Sequence, residues 1–481
     1  MADLSVQHKP ECIHIDDISS ADGPENDRPE QRKIISRIDR RLLPICGLIT
    51  SVSLIDRTNV SNAAIAGMNE DLHLDQGTRY SVMVLVFFVT YTLAQIPSNA
   101  IVRRIGTRWV ISSLILAWGI VTIGFGLTTS WKQLVALRVV LGLFEGGSFP
   151  SIILLMSTWY VRYELQKRYA GYYLLGITAS AFSGILAYGL TQMDGVGGLQ
   201  GWRWIFIIEG ILTCIVAVLA YIFLLEFPDR EPQSQPRWGR LGEVECQFTL
   251  QRLSQDRGDA SLEPFSWRAF LRSALQVKTW AFATLFLAAT AVAYSMAYFL
   301  PIILHHGMGF GVAASQCLVA PPYAFAAILM FAGAWAGDKY HVRGPIIIFN
   351  SILAIVGLAM MGYAASSGAQ YAGVFFVAAG VNASIPAIMA YQANNIRGQW
   401  NRAFASASLI GFGGIGGIVG GAAFQPSSAP RYIPGIWTSI ALMLLVIGVV
   451  LALTVYFIVQ NRRADRQGTI LEGLEGFRYT I

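Results

Sequence analysis

An arginine and a glutamate lie within an apolar, glycine-rich stretch at residues 138–150, Arg-Val-Val-Leu-Gly-Leu-Phe-Glu-Gly-Gly-Ser-Phe-Pro. Seven residues at about 100° each return Glu145 to the helix face of Arg138, roughly 10 Å farther along the axis. Ionisable groups at membrane depth are costly to bury, so they usually face a water-filled cavity and belong to a substrate or proton path. The stretch therefore predicts a transport site. The alternative is a purely structural ion pair between helices.

A second arginine, Arg57, lies near the end of the first apolar segment, in the sequence Asp-Arg-Thr-Asn. Arg57 and Arg138 are expected in the outer half of the membrane, with Glu145 near its midplane. Two guanidinium groups at similar depth favour a pocket for a carboxylate, which arginine binds through two parallel hydrogen bonds. Glu145 suits a proton carrier, because a buried carboxylate is easier to protonate than an exposed one. Asp56 either neutralises Arg57 or, since adjacent side chains diverge by about 100°, serves another partner.

Other polar residues within the apolar segments extend this candidate site. Asn59, Tyr294 and Tyr298 are the further candidates for substrate binding, and Asp56 and Glu209 are the further candidates for proton coupling. Glu209 lies about two helical turns into its segment, after Gly-Trp-Arg-Trp, so an anchor near the outer membrane surface is the alternative.

The composition excludes a soluble domain and several kinds of chemistry. Of 481 residues, 54% are hydrophobic and only 13% are charged, whereas soluble domains carry about 25% charged residues. The net charge of +6 does not indicate nucleic-acid binding, because the basic residues lie in short loops. The five cysteines show no paired spacing, and residues 411–416 match a dinucleotide-binding glycine pattern only inside an apolar segment. We expect no metal, no cofactor and no enzymatic activity.

Twelve apolar segments approach the roughly 20 residues that a membrane-crossing helix needs. They lie at residues 42–60, 80–102, 109–128, 133–158, 169–191, 204–225, 279–304, 314–336, 345–366, 371–393, 403–424 and 435–459. We expect an all-α membrane protein with a cytosolic tail (1–41), a six-helix bundle (42–225), a cytosolic linker (226–278), a second six-helix bundle (279–459) and a second cytosolic tail (460–481).

The distribution of lysine and arginine predicts the orientation. On the side of the termini there are 29 of these residues and on the opposite side four, and the remaining two of the 35, Arg57 and Arg138, lie within segments. Cytoplasmic loops carry such an excess. We therefore expect both termini in the cytosol, and we call the ends of the helices on the side of the termini inner and the opposite ends outer.

A weak repeat with an offset of about 235 residues relates the two predicted bundles. It aligns the basic loop after the second segment with the loop after the eighth. The candidate conformational-loop residues are Arg103, Arg104, Gly106 and Arg108 in the first loop and Asp338, Lys339 and Arg343 in the second. Two parallel halves with a binding site between them near mid-membrane are typical of secondary transporters.

The sequence resembles the major facilitator superfamily, and within it the anion:cation symporter branch with the fungal allantoate and nicotinate permeases. The motifs that carry the resemblance are residues 56–63, 138–150, 201–210, 321–323, 394–395, 411–420 and 429–432. The resemblance implies proton-coupled symport of a small organic anion by alternating access. It assigns anion recognition to Arg57 and Arg138 and proton coupling to Glu145. It also implies a monomer in the plasma membrane.

The sequence departs from the pattern of this branch in three places. Arg103 replaces the usual acidic residue of the first conformational loop, Gly414 stands where an asparagine is common, and the seventh segment has no arginine. The last two leave the substrate open. A metabolite exporter with the same fold is one alternative function, and a transporter-like nutrient sensor is another.

Overall fold

The computed structural model describes residues 29–233, 241–257, 273–340, 342–397, 399–424, 428–429, 431–472 and 477–481, in which the regular secondary structure is helical. The helices of the first half and the linker are α1 (Pro29–Ala63), α2 (Arg79–Ile105), α3 (Thr107–Phe125), α4 (Trp131–Glu145), α5 (Ser148–Trp159), α6 (Arg162–Thr191), α7 (Gly201–Phe223) and α8 (Glu243–Arg257). Those of the second half are α9 (Val277–Ile302), α10 (Ala320–Tyr340), α11 (Gly344–Tyr363), α12 (Ser367–Asn395), α13 (Gln399–Ala423) and α14 (Ile433–Gln467).

The predicted segments fall in helical parts of the chain. In the described part of the chain, ten helical spans are long and apolar enough to cross a membrane, with α4 and α5 forming one span. The other two predicted positions fall in α1 and α2. Helices suit this composition because lipid offers no partner for backbone polar groups, so each segment must satisfy its own.

Several helix limits differ from the predicted ones. Helix α1 begins at Pro29, so the last part of the predicted amino-terminal tail is a polar extension of the first span, while residues 1–28 lie outside the described residues. Two ion pairs hold this extension against the rest of the protein. Arg37 Nη1 lies 2.6 Å from Glu245 Oε1 of α8, and Arg168 Nε lies 2.6 Å from Asp39 Oδ1. The predicted linker therefore contains a helix that is docked on the first half.

The predicted single helix at 133–158 is two helices. Helix α4 ends at Glu145, and α5 begins at Ser148. Gly146 and Gly147 lie between them, and adjacent glycines are a common cause of sharp helix bends. The break falls directly after the glutamate that the sequence predicts as the proton carrier.

The two halves contact each other through α1 and α9, α2 and α13, and α6 and α10. Helices α2 and α13 approach closely because Gly414, Gly417 and Gly421 of α13 lie against the side chains of α2, where a Cβ atom would overlap them. Gly414, predicted only as a departure from a family pattern, faces Thr92.

Among the described residues, three hydrogen bonds join the halves at their outer ends, and we call them the outer seam. Ser61 Oγ donates to the Ala297 carbonyl (3.1 Å), Tyr80 Oη to the Tyr298 carbonyl (2.9 Å) and Gln316 Nε2 to the Asn62 carbonyl (3.2 Å). Pro301 lies inside α9 and has no N–H to offer the Ala297 carbonyl, four residues earlier. In each bond the donor is a side chain and the acceptor is the main chain of the other half.

Candidate functional site

A cavity lies between the two halves near the middle of the bundle. Its volume is about 80 Å³, and its lining comes from helices of both halves. A single water needs about 10–15 Å³ by this measure, so the cavity has room for several waters. Arg57 of α1 and Tyr294 of α9 lie in the wall.

Arg57 and Ser53 line the cavity, and together with the buried Glu145 they form a compact cluster. Arg57 Nη2 lies 3.0 Å from Glu145 Oε1. Ser53 Oγ donates to the same carboxylate oxygen at 2.6 Å and accepts from Arg57 Nη1 at 2.7 Å. Arg57 Nη1 also donates to the Ser53 carbonyl at 2.8 Å. The glutamate predicted to share a face with Arg138 thus makes its ion pair with Arg57, because α1 passes close to the end of α4.

Close packing of α2 against α4 fixes the position of Glu145. A Cβ atom at Gly142 would lie 2.5 Å from the Phe87 carbonyl oxygen, and one at Gly146 would overlap the Tyr91 carbonyl. Small residues four positions apart allow such approach between membrane helices. The glycines on either side of Glu145 therefore have a packing role that places its carboxylate beside Arg57.

Arg138 lies behind the cavity wall. The Phe87 ring stands between the two arginines, with its centroid 6.0 Å from Arg57 Cζ and 5.9 Å from Arg138 Cζ. Arg138 is buried, its Nε has no hydrogen-bond partner, and its guanidinium stacks over Phe125 at 4.8 Å. Arg138 is absent from the residues that line the cavity. The expected pocket of two arginines is therefore, in this conformation, a pocket with one.

The remaining carboxylates lie among α1, α3 and α7. Asp56 is buried and accepts a hydrogen bond from Trp118 Nε1, so its partner is a tryptophan of α3 rather than the adjacent Arg57. Glu209 is also buried, and neither of its carboxylate oxygens has a hydrogen-bond partner.

The structure separates the other predicted substrate residues. Tyr294 lines the cavity and stacks against Arg57, with its ring centroid 5.3 Å from Arg57 Cζ. Asn59 is fully buried, and neither its Oδ1 nor its Nδ2 has a hydrogen-bond partner. Tyr298 is buried against Phe88, at a centroid distance of 5.8 Å. Asn59 and Tyr298 are not among the residues that line the cavity.

The first conformational loop is organised by a carboxylate from the end of the first half. Glu226 Oε1 accepts from the Thr107 backbone N–H at 2.6 Å and from Thr107 Oγ1 at 3.0 Å. The carboxylate thus caps the amino terminus of α3, where unpaired N–H groups favour a negative charge. Gly106 has φ +118°, and a Cβ atom there would lie 2.9 Å from Glu226, so this position requires glycine.

The three loop arginines contact the end of α7 and the residues that follow it. Arg103 pairs with Asp229 at 3.4 Å, and the Arg104 carbonyl accepts from Arg230 at 3.2 Å. Arg108 Nε donates to the Tyr221 carbonyl at 2.6 Å. The predicted loop residues of the first half therefore hold its inner end together.

The second conformational loop has fewer described contacts. The Asp338 side chain lies outside the described part of the structure. Lys339 Nζ lies 4.8 Å from the ring of Trp335. The Arg343 backbone N–H donates to the Ile481 backbone oxygen at 2.8 Å, so the chain after α14 returns to the start of α11.

Sequence reasoning missed several residues of the cavity. Ser53 bridges Arg57 and Glu145, and Tyr91, Tyr173 and Tyr323 line the wall. Ser53 lies one helical turn before Arg57, a spacing that signals a shared face. The tyrosines had no comparable signal, because aromatic residues also occur throughout the lipid-facing surface. In the described part of the chain, no cluster of metal-binding side chains is present.

Comparison with known proteins agrees with this architecture. A sequence model described as "Major Facilitator Superfamily" matches residues 46–421. The MFS-type transporter cnsO of Penicillium expansum is 29% identical over 471 residues, which cover 96% of this chain and 89% of that protein. The high-affinity nicotinic acid transporter of Saccharomyces cerevisiae is 27% identical over 449 residues, covering 93% of this chain and 82% of that protein.

A similar solved structure is that of a bacterial homolog of the human lysosomal transporter Spinster, in an inward-facing and occupied conformation. It has a TM-score of 0.60 and 16% identity, and the alignment covers 87% of this chain and 96% of that one. At this identity the likeness shows the fold alone. Together with the match over residues 46–421, it leads to one conclusion: the chain belongs to the major facilitator superfamily, and it is a membrane transporter rather than an enzyme.

Proposed function

We propose that the protein carries a small organic anion together with protons by alternating access. The observation that supports this most directly is the buried ion pair between Glu145 and Arg57, which lines a cavity between the two halves. A carboxylate substrate needs a cation in this low-dielectric environment, and Arg57 is the cation within reach.

The ion pair provides a physical link between proton and anion. An anion that binds Arg57 displaces Glu145, and the displaced carboxylate is then buried without its counter-charge. Protonation removes that cost, because a neutral carboxyl group needs no cation. Proton binding therefore favours anion binding, and by linkage the anion favours the proton to the same extent.

Other charged residues have supporting roles in this proposal. Arg138, behind the Phe87 ring, supplies a second positive charge to the region without touching the substrate. Asp56 and Glu209 are the further proton sites, and Glu209 has no hydrogen-bond partner that would stabilise its ionised form. The loop residues at the inner ends of the two halves belong to the conformational change.

We propose import across the plasma membrane as a monomer, with both termini in the cytosol. The Lys and Arg distribution supports the orientation. The nicotinic acid transporter among the relatives supports a vitamin-like or other small carboxylate as the cargo. The resemblance to the allantoate and nicotinate permeases supports the anion:cation symporter branch.

Uptake by expressing cells tests the proposal. We would supply labelled nicotinate, allantoate, pantothenate and short dicarboxylates at external pH 5 and pH 7. Accumulation that is greater at pH 5 and collapses with a protonophore is the expected result, with empty-vector cells as the control for passive diffusion of the protonated acids. No uptake by protein shown to be at the cell surface would contradict import. Greater release of a metabolite by expressing cells would then favour export.

Two variants test the assigned roles. Glu145→Gln is isosteric and cannot change its charge, so we expect substrate binding to persist and the pH dependence of uptake to disappear. Arg138→Ala should abolish transport while the protein still reaches the membrane. Unchanged pH dependence in Glu145→Gln would exclude Glu145 as the main proton carrier, and loss of Arg138→Ala from the membrane would favour a structural role.

A further inference from the structure

We infer that the substrate is an aromatic monocarboxylate, an inference that rests on the proposed anion transport and narrows it. One cationic side chain lines the cavity, and both halves of the protein contribute aromatic side chains to the same lining. Among the described residues that line it, Arg57 is the one lysine or arginine, and six side chains are phenylalanine or tyrosine.

The charge of the wall limits the charge of the ligand. Arg57 can neutralise one carboxylate, and it is held in place by Ser53 and by the rings of Tyr91 and Tyr294, whose centroids lie 5.5 and 5.3 Å from its Cζ. A second carboxylate on the ligand would be desolvated with no lysine or arginine of the described lining to pair with, and an unpaired buried charge is strongly unfavourable. A monoanion is the matching charge state.

The aromatic side chains are divided equally between the halves. The first half contributes Tyr91, Phe149 and Tyr173, and the second contributes Phe286, Tyr294 and Tyr323. Planar rings attract one another in offset-stacked or edge-to-face arrangements. A ligand ring between these surfaces would contact both halves at once, which is the geometry that a substrate needs to stabilise the closed state of the cavity.

The remaining polar groups and the size of the cavity agree with this ligand. The hydroxyl groups of Tyr173, Tyr294 and Tyr323 make no hydrogen bond to the described residues, so they can donate to a carboxylate or to a ring substituent. Space for several waters, at about 30 Å³ each, is enough for one six-membered ring with a carboxylate.

Binding to the purified protein separates the inference from its alternatives. We would titrate benzoate, cyclohexanecarboxylate, terephthalate and succinate, and follow the thermal unfolding midpoint, which a ligand of the native state raises. Benzoate and cyclohexanecarboxylate carry the same charge and differ in the planarity and π-electrons of the ring. We expect benzoate to bind about tenfold more tightly than cyclohexanecarboxylate, since ring pairs on two faces each add to affinity. Terephthalate and succinate should bind more weakly than benzoate.

Two matched variants test whether the preference for benzoate over cyclohexanecarboxylate arises in the cavity. Phe286 lines the cavity and is 4% exposed, whereas Phe331, also in the second half, is 65% exposed on the outer surface of the bundle. Phe286→Leu should reduce the preference for benzoate at least threefold, and Phe331→Leu should leave it unchanged. The wild-type titrations stand on their own if Phe286→Leu is unstable.

The outcomes distinguish this inference from the proposed function. Equal binding of benzoate and cyclohexanecarboxylate, or tighter binding of succinate than of benzoate, would overturn the aromatic monocarboxylate and leave anion transport intact. Binding of none of the four acids, together with no pH-dependent uptake of any anion, would overturn both.

Discussion

The buried ion pair between Arg57 and Glu145 leads to a prediction about stability that can be worked from the structure. The two side chains are 4% and 1% exposed, at a separation of 3.0 Å. Removing one partner of a buried pair leaves the other charge without compensation, at a cost of about 3–5 kcal/mol. Replacing both partners by apolar side chains of similar size is often nearly neutral.

We therefore expect Arg57→Met and Glu145→Leu each to lower the free energy of unfolding by about 3–5 kcal/mol. The double variant should be more stable than either single variant, although it should transport nothing. The measurement is unfolding of the purified protein in mixed micelles of mild detergent and sodium dodecyl sulfate, followed by tryptophan fluorescence.

The pair formed by Arg103 and Asp229 is the matched control. It has the same chemistry at 3.4 Å, but its side chains are 43% and 44% exposed. Exposed pairs contribute about 0–1 kcal/mol. The single variants of Arg103 and Asp229 and their double variant should therefore show nearly additive losses of unfolding free energy. Additive losses of unfolding free energy in the Arg57 and Glu145 variants would refute the reasoning that this pair is desolvated. An equally large departure from additivity in the two pairs would refute it as well.

Three further predictions concern the supports of the site, each measured by the same unfolding assay. Trp118→Phe removes the hydrogen bond to buried Asp56 and should cost about 1–3 kcal/mol, whereas the same change at Trp109, which is 58% exposed, should cost less than about 0.5 kcal/mol. Glu226→Gln weakens the anionic cap of α3 and should cost about 0.5–2 kcal/mol; no change would contradict the cap. Gly142→Val overlaps the main chain of α2, and we expect it to cost about 1–3 kcal/mol and to abolish uptake. Wild-type uptake by this variant would mean that close packing of α2 and α4 is dispensable.

The positions of the membrane helices were readable from the sequence because lipid imposes a simple demand. A segment that crosses it must be apolar and about 20 residues long, and it must satisfy its own backbone groups. Polar helices do not have to meet this requirement, so the same reasoning does not locate them. The extension of α1 before residue 42 depends on Glu245 and Arg168, which are far away in sequence, so no local signal marks it.

The site was only partly predictable, because its contacts join residues that are far apart in the sequence. The presence of Arg57, Arg138 and Glu145 in apolar segments singles them out, because few charged groups occur there. Their partners do not follow from spacing within one helix. Glu145 pairs with Arg57 since α1 and α4 meet at this depth, whereas Arg138 packs against the rings of Phe87 and Phe125 and is absent from the cavity lining. Contacts between helices decide which charge faces the substrate.

The hydrogen bonds of the outer seam differ in whether the acceptor carbonyl has another donor within reach when the bond breaks. The Tyr298 carbonyl, four residues before Ile302 in α9, keeps a helical N–H as a possible donor after Tyr80 departs. The Ala297 carbonyl has no such donor, because Pro301 occupies the corresponding position. An unpaired buried carbonyl is costly. Ala297 lines the cavity between the halves, so a water there has to replace Ser61 as the donor when the outer ends separate, and movement of α1 away from α9 is thereby coupled to hydration of this carbonyl.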